Sequence, residues 1–284
     1  MFLLNWSKSP RTRVSFFPKL PCFARLSRNL TCPHWLNWKT TSPNGNLCSI
    51  NFSLKQNTFF ICGTDTGVGK TLVTGALCLY FCHKKKPIGA FKPLESGCAS
   101  RLTPNHIHRN DSSFLQKCAG MKEPLDEINL YWFKEALTPA LAAKRAGIQI
   151  SFPKIKQGLK NLQKKYKTVF VEGAGGLLAP IKGLQTNLDL IKSLKLPVIV
   201  VARLGLGTLN HTLLTLDVLK RNKIKVAGVI LNQTKSSLSL ADKTNPGILK
   251  QYNVPLLGVF PYIQKKNPKS LLKGTKKLKL EIFR

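Results

Sequence analysis

Apolar residues recur along this chain in short runs bounded by turn-forming residues, and these runs alternate with longer stretches of helical period. The runs at 58–62, 87–91, 168–171, 197–202, 224–231 and 255–260 are rich in Val, Ile and Phe. They predict strands buried on both faces. Helical periodicity predicts helices over 72–81, 112–119, 139–146, 152–166, 186–194, 208–220 and 246–252. Regular alternation of strand and helix predicts an α/β fold with a doubly wound, mostly parallel sheet in a single domain. Such sheets bind ligands beyond the carboxyl ends of their strands, and the polar signals of this chain sit just after its strand-like runs.

The two ends break the alternation. Residues 1–57 hold eight basic residues and no acidic one, mixed with Ser, Thr, Pro and Trp without periodicity. Three readings stand for them: an organellar transit peptide, upstream sequence from a misassigned start, or a disordered basic arm. The apolar start Phe2-Leu3-Leu4 is too short for a secretory signal. The other end, 266–284, is lysine-rich and weakly patterned, and reads as a basic surface tail that is helical in part. Residues 58–265 remain as the folded unit.

Charge widens the question of partners. The chain carries 45 Lys and Arg against 12 Asp and Glu, a formal net charge of +33. Nucleic acid, acidic lipid and polyanionic ligands all come into view. The lysines are scattered, however, and no aromatic-plus-basic motif interrupts them, which favours a solvated basic surface over a specific nucleic-acid partner. No apolar run reaches the ~18 residues that span a bilayer, so no membrane partner is expected. None of the eight cysteines forms a Cys-x-x-Cys pair. Cys62, Cys78 and Cys82 fall on apolar faces and read as buried small hydrophobes in a reducing compartment, and the same reading is preferred over a Cys78–Cys82–His83 metal cluster.

Five strand ends carry chemistry. After the first strand comes Gly63-Thr-Asp-Thr-Gly-Val-Gly-Lys-Thr71, a glycine-rich turn leading into a helix. Glycines let backbone amides close around phosphate oxygens, and the helix turns its positive end toward them. Lys70 adds charge for the β- and γ-phosphates, and Thr71 offers a hydroxyl to a magnesium ion. Five residues separate Gly63 from Gly69 where the common pattern has four, so the loop is a variant. After the second strand stands Lys92-Pro-Leu-Glu-Ser-Gly97, where Lys92 can offset charge on a phosphoryl or carboxylate group and Ser96 offers a hydroxyl. In Arg109-Asn-Asp111, Asp111 can cap the following helix or bind magnesium. His106 and His108 read as loop residues. The third strand ends in Glu172-Gly-Ala-Gly-Gly176, an acid placed like the metal-binding acid of nucleotide hydrolases and followed by Gly173, Ala174 and Gly175, which allow close approach. The strand at 224–231 leads into Asn232, whose amide can pair with an adenine edge.

Together these segments, with Thr138-Pro139 and Leu209-Asn210-His211, resemble the dethiobiotin synthetase family over residues 58–265. The five-residue loop spacing is typical of that family, although some relatives carry an acid where Gly67 stands. The resemblance implies a P-loop NTPase-like fold and an ATP-dependent cyclo-ligase of biotin biosynthesis. It closes the ureido ring of dethiobiotin from 7,8-diaminononanoate and CO2 (or bicarbonate) with ATP and Mg2+. It further implies that Lys92 and Lys70 are catalytic, and that Thr71, Asp111 and Glu172 hold the metal. ATP would lie along Gly67, Val68, Gly69, Lys70, Thr71, Leu72, Asp111, Glu172, Gly173, Ala174, Gly175, Asn232 and Gln233, with Pro261, Tyr262 and Ile263 near the nucleotide. Ser96 and Asn210 would contact substrate, Asn210 by reaching across a homodimer interface. The implied location is the cytoplasm, or an organelle if the first residues form a transit peptide. Rival readings are a cobyrinate-synthase-like or partitioning ATPase of the same core, or a basic nucleic-acid-binding protein. Cobyrinate-type synthases carry an added glutaminase domain for which there is no room, and residues 63–67 lack the early lysine of partitioning ATPases.

Overall fold

The computed structural model describes residues 57–98 and 111–283. The readings of residues 1–56, and of His106, His108 and Arg109, fall outside them. Elements follow in the order β1 (Asn57–Gly63), α1 (Lys70–His83), β2 (Ile88–Phe91), β3 (Leu94–Ser96), α2 (Asp111–Ala119), α3 (Leu125–Ile128), β4 (Tyr131–Phe133), α4 (Pro139–Arg145) and α5 (Phe152–Lys165). Then come β5 (Thr168–Gly176), β6 (Pro180–Lys182), β7 (Gln185–Thr186), α6 (Asn187–Leu194), β8 (Val198–Arg203), α7 (Thr208–Arg221), β9 (Val226–Asn232), α8 (Leu240–Gln251), β10 (Leu256–Phe260) and α9 (Pro268–Thr275).

Six strands form one sheet in the order β10-β9-β8-β1-β5-β2, with every neighbour parallel. Strands covered on both faces need apolar side chains on both, and Phe60, Ile61, Phe91, Val169, Phe170, Val200 and Ile230 are all fully buried. From β1 the chain passes out to β2, beyond β5, whereas β8, β9 and β10 extend the sheet on the other side. The winding therefore reverses beside β1. The crevice beyond the ends of β1, β5 and β8 is where such folds bind ligands. Two small pairs, parallel β3–β4 and antiparallel β6–β7, flank that end and were not legible as strands.

Two expectations are corrected. The helix expected over 246–252 begins at Leu240 instead, because Ser239 and Asp242 form a capping box and Pro246 sits inside the helix. The tail expected on the surface is packed: Leu271, Leu278, Leu280 and Phe283 are buried. Lys279 N–H donates to Leu257 C=O at 2.8 Å, and Leu278 bridges Gly258 antiparallel, so the tail covers the outer edge of β10. Gly258 permits this, since a Cβ there would collide with the Lys277 carbonyl. Phe283 then enters the core with its ring 5.0 Å from Phe59, 5.7 Å from Phe81 and 5.8 Å from Phe170, edge-on to each. Among the described residues no helix is long and apolar enough to cross a membrane.

Candidate active site

The loop between β1 and α1 takes its shape from glycine. Gly67 and Gly69 have φ of 71° and 90°, the left-handed region that other residues enter at a cost. Gly69 is the residue before α1, and a Cβ on it would run into the Asn232 side-chain amide. That contact joins the loop to the end of β9: Asn232 Nδ2 donates to Val68 C=O at 2.8 Å. Lys70 opens α1 and is buried, with Nζ 3.2 Å from the Asp65 carbonyl it donates to. Burial pushes its ammonium below the ordinary lysine value, against the pull of Glu172, and the nearby Lys92 charge adds to the lowering. Leu72, in the same first turn, is half-buried.

Lys92 leaves the end of β2 and points into the same crevice. It is buried, and its Nζ donates to Asp111 Oδ2 at 2.5 Å and to Glu172 Oε1 at 2.6 Å. Burial alone would weaken this ammonium. The Glu172, Asp111 and Glu95 carboxylates outweigh that effect and hold it well above the usual lysine range. Asp111 starts α2. Burial would raise its carboxyl, but Lys92 outweighs this and holds it below the usual value. Glu172, fully buried in β5, also accepts from Thr71 Oγ1 at 2.7 Å. Its Oε1 thus serves two donors, while the buried Oε2 has no protein partner. A buried acceptor without a partner is costly, so the unpartnered oxygen marks a place for a cationic or hydrogen-bonding ligand. Hydroxyl and carboxylate oxygens of Thr71, Asp111 and Glu172 are the hard donors that magnesium selects.

The structure therefore gathers Lys70, Thr71, Lys92, Asp111 and Glu172 from four separate elements. Gly173, Ala174 and Gly175 continue β5 past the apolar run expected over 168–171, with Gly175 left-handed at φ 75°. Gln233 N–H donates to Phe260 C=O at 2.9 Å, which sets Asn232 and Gln233 beside half-buried Pro261, exposed Tyr262 and half-buried Ile263. Ser96 ends β3, half-buried and three residues beyond the Lys92-Pro93 turn. Asn210 stands apart from this cluster, exposed on the first turn of α7 beside Leu213, Leu214, Asp217 and Arg221. Its neighbour His211, with Leu214, Thr215 and Val218 of α7, lines a groove of about 380 Å³ together with Thr64, Asp65 and Thr66 of the loop.

Some contributors escaped the sequence reading. Glu95, not Asp111, serves the start of α2, accepting from Asp111 N–H at 2.8 Å and Ser112 N–H at 3.1 Å. Buried Asn129 donates to the Lys92 carbonyl at 2.7 Å and fixes that turn. Asn187 Nδ2 ties the glycine stretch after Glu172 by bonds to Ala174 C=O (2.6 Å) and Gly176 C=O (2.7 Å). Arg203, at the end of β8, reaches the Thr66 carbonyl at 3.5 Å. Only Glu95 left a sequence signal, as an acid beside Lys92 in a chain poor in acids.

A family model described as an AAA domain matches residues 57–270. The ATP-dependent dethiobiotin synthetase BioD of Thermodesulfovibrio yellowstonii is 41% identical over 221 residues, covering 74% of this chain and 90% of the relative. The protein of the same name from Bacillus velezensis is 37% identical over 207 residues, covering 72% and 87%. Among solved structures, the septum site-determining protein MinD of Pyrococcus horikoshii, complexed with Mg-ADP, overlaps more loosely. It covers 76% of this chain and 86% of its own, at 18% identity and a TM-score of 0.45.

Proposed function

This chain belongs to the ATP-dependent dethiobiotin synthetase family, and from that premise we propose how its residues carry the reaction. The enzyme is an ATP-dependent cyclo-ligase of biotin biosynthesis. In this reaction one amine of 7,8-diaminononanoate captures CO2 as a carbamate. The carbamate oxygen attacks the γ-phosphate of ATP, and the second amine then closes the ring and expels phosphate.

Carbamate and γ-phosphate are both anions, so their approach must be offset by fixed positive charge. The observation that carries the assignment is the buried Lys92 ammonium between Asp111 and Glu172, with Lys70 close enough for their charges to oppose each other. A cation held out of water exerts a field that solvent screens little. Lys70 faces the phosphates from the loop side, with Gly67, Val68, Gly69, Thr71 and Leu72 presenting backbone around them. Lys92 faces the carbamate from the substrate side, with Ser96 on the same turn. Gly173, Ala174 and Gly175 bring backbone close to both ligands. Asn232, Gln233 and 261–263 border the base, and Asn232 Oδ1, buried and without a protein partner, is an acceptor for an exocyclic amine. Thr71, Asp111 and Glu172 would hold Mg2+, which when bound supplies further positive charge at the phosphate oxygens.

We extend the same reading to assembly and place. Leu178 and Leu214 are 56% and 58% exposed and line the groove beside His211. An apolar rim next to a substrate site suits a second copy of the chain, with Asn210 reaching across. The free thiols of Cys62, Cys78, Cys82 and Cys118 suit a reducing cytoplasm. Residues 58–265 act as one synthetase domain, to which the tail adds its packing.

The test is phosphate release in Mg-ATP and bicarbonate with and without the diamine. Release that requires the diamine is expected. Equal release without it would overturn the proposal.

A further inference from the structure

We propose that Glu95 is a positioning residue: it holds the first turn of α2 against the Lys92 turn and so keeps Asp111 aimed at the metal and Lys92. The idea rests on the site reading given above and goes beyond it. A helix leaves its first amides without internal partners, and these are ordinarily served by a side chain just before the helix. Here both are served from elsewhere in the fold. Glu95 lies in β3, is 5% exposed, and spends one oxygen on Asp111 N–H and the other on Ser112 N–H. Its negative charge also complements the positive end of α2.

The position of Glu95 in the chain gives this bond its consequence. It is three residues after Lys92 and next to Ser96, whereas α2 starts at Asp111, whose carboxylate returns to Lys92 Nζ. Hydrogen bonds thus run from Glu95 through the α2 amides and the Asp111 carboxylate to Lys92, and the backbone from Lys92 to Glu95 closes the circuit. Glu95 touches neither reacting group. Without it, two amides lose their acceptor, the first turn of α2 loosens, and Asp111 must be ordered at the moment of binding. That cost falls on the metal-bound nucleotide, because Asp111 is the group that would hold the metal, whereas the bonds that shape the phosphate loop, Lys70 to the Asp65 carbonyl and Asn232 to the Val68 carbonyl, involve neither Glu95 nor Asp111.

The experiment measures equilibrium binding of ATP with magnesium and with EDTA to the full chain, Glu95→Ala, Glu95→Gln, Asp111→Ala and the double variant Glu95→Ala/Asp111→Ala. Glu95→Ala is expected to weaken Mg-ATP about tenfold, or ~1.4 kcal/mol, and to leave metal-free ATP unchanged. Glu95→Gln keeps the shape and one acceptor, stays folded, and loses roughly threefold on the same scale. In the Asp111→Ala background Glu95→Ala should add nothing, because it acts through Asp111. A full additional tenfold loss there, or equal weakening with and without metal, would overturn the role and leave only a structural one. Parent-like Mg-ATP binding by Glu95→Ala beside a weakened Asp111→Ala would also overturn it. Parent-like binding by Asp111→Ala would instead sink the site reading beneath it.

Discussion

Lys92→Ala should lower kcat by about 10²–10³-fold, the usual loss when one fixed partner of a developing charge is removed, while ATP still binds. The ammonium is buried and bonded to Asp111 and Glu172, so nothing in the crevice can replace it. The phosphate loop, by contrast, keeps Lys70, its glycines and the Asn232–Val68 bond. The same change leaves the buried Glu172 without its ion-pair partner, with the Thr71 hydroxyl still donating to it. Breaking a buried ion pair from one side costs about 3–5 kcal/mol, so the variant should also melt earlier. Lys92→Arg keeps a cation and serves as the folded comparison. Its guanidinium cannot occupy the place of a compact ammonium, so turnover should still fall. Parallel loss of ATP binding and kcat in Lys92→Arg would show that the side chain belongs to the nucleotide site and not to the carbamate.

Phe283→Ala should be among the most destabilising single changes far from the crevice, at about 3–5 kcal/mol. The ring is 4% exposed and meets three other phenylalanines from β1, α1 and β5. A loss of that size corresponds to a melting temperature lower by roughly 10 °C for a domain of this length. The tail also closes the β10 edge, which would otherwise present unpaired backbone to other chains. Ending the chain before Lys277 should therefore bring aggregation as well as a lower melting point, by calorimetry and light scattering. A variant that melts with the parent would mean that the aromatic cluster forms without the tail.

The main sheet was legible because doubly covered strands leave a plain mark: unbroken runs of Val, Ile and Phe between turn residues. The phosphate loop, Lys92 and Glu172 were legible because each follows such a run directly. What escaped depends on contacts between distant residues. Leu278, Leu280 and Phe283 are three apolar residues among lysines, and no local period announces that they meet β1 and β10. Asp111 could be read as a cap as well as a metal ligand, because an acid commonly stands at a helix start. Glu95 holds that place from 16 residues earlier in the chain, and no spacing rule covers such a pairing. Asn129 and Asn187 likewise act on carbonyls of other segments, so only the fold reveals their purpose. The β3–β4 and β6–β7 pairs have two or three residues per strand, too few for a period to register.

The central claim is that phosphoryl transfer to a carbamate drives ring closure in this crevice. The direct measurement is incubation with 13C-bicarbonate, Mg-ATP and 7,8-diaminononanoate, followed by mass spectrometry of the product alongside released phosphate. The account predicts dethiobiotin carrying the label in its ureido carbon, with one label incorporated for each phosphate released. Phosphate released without labelled product would contradict it.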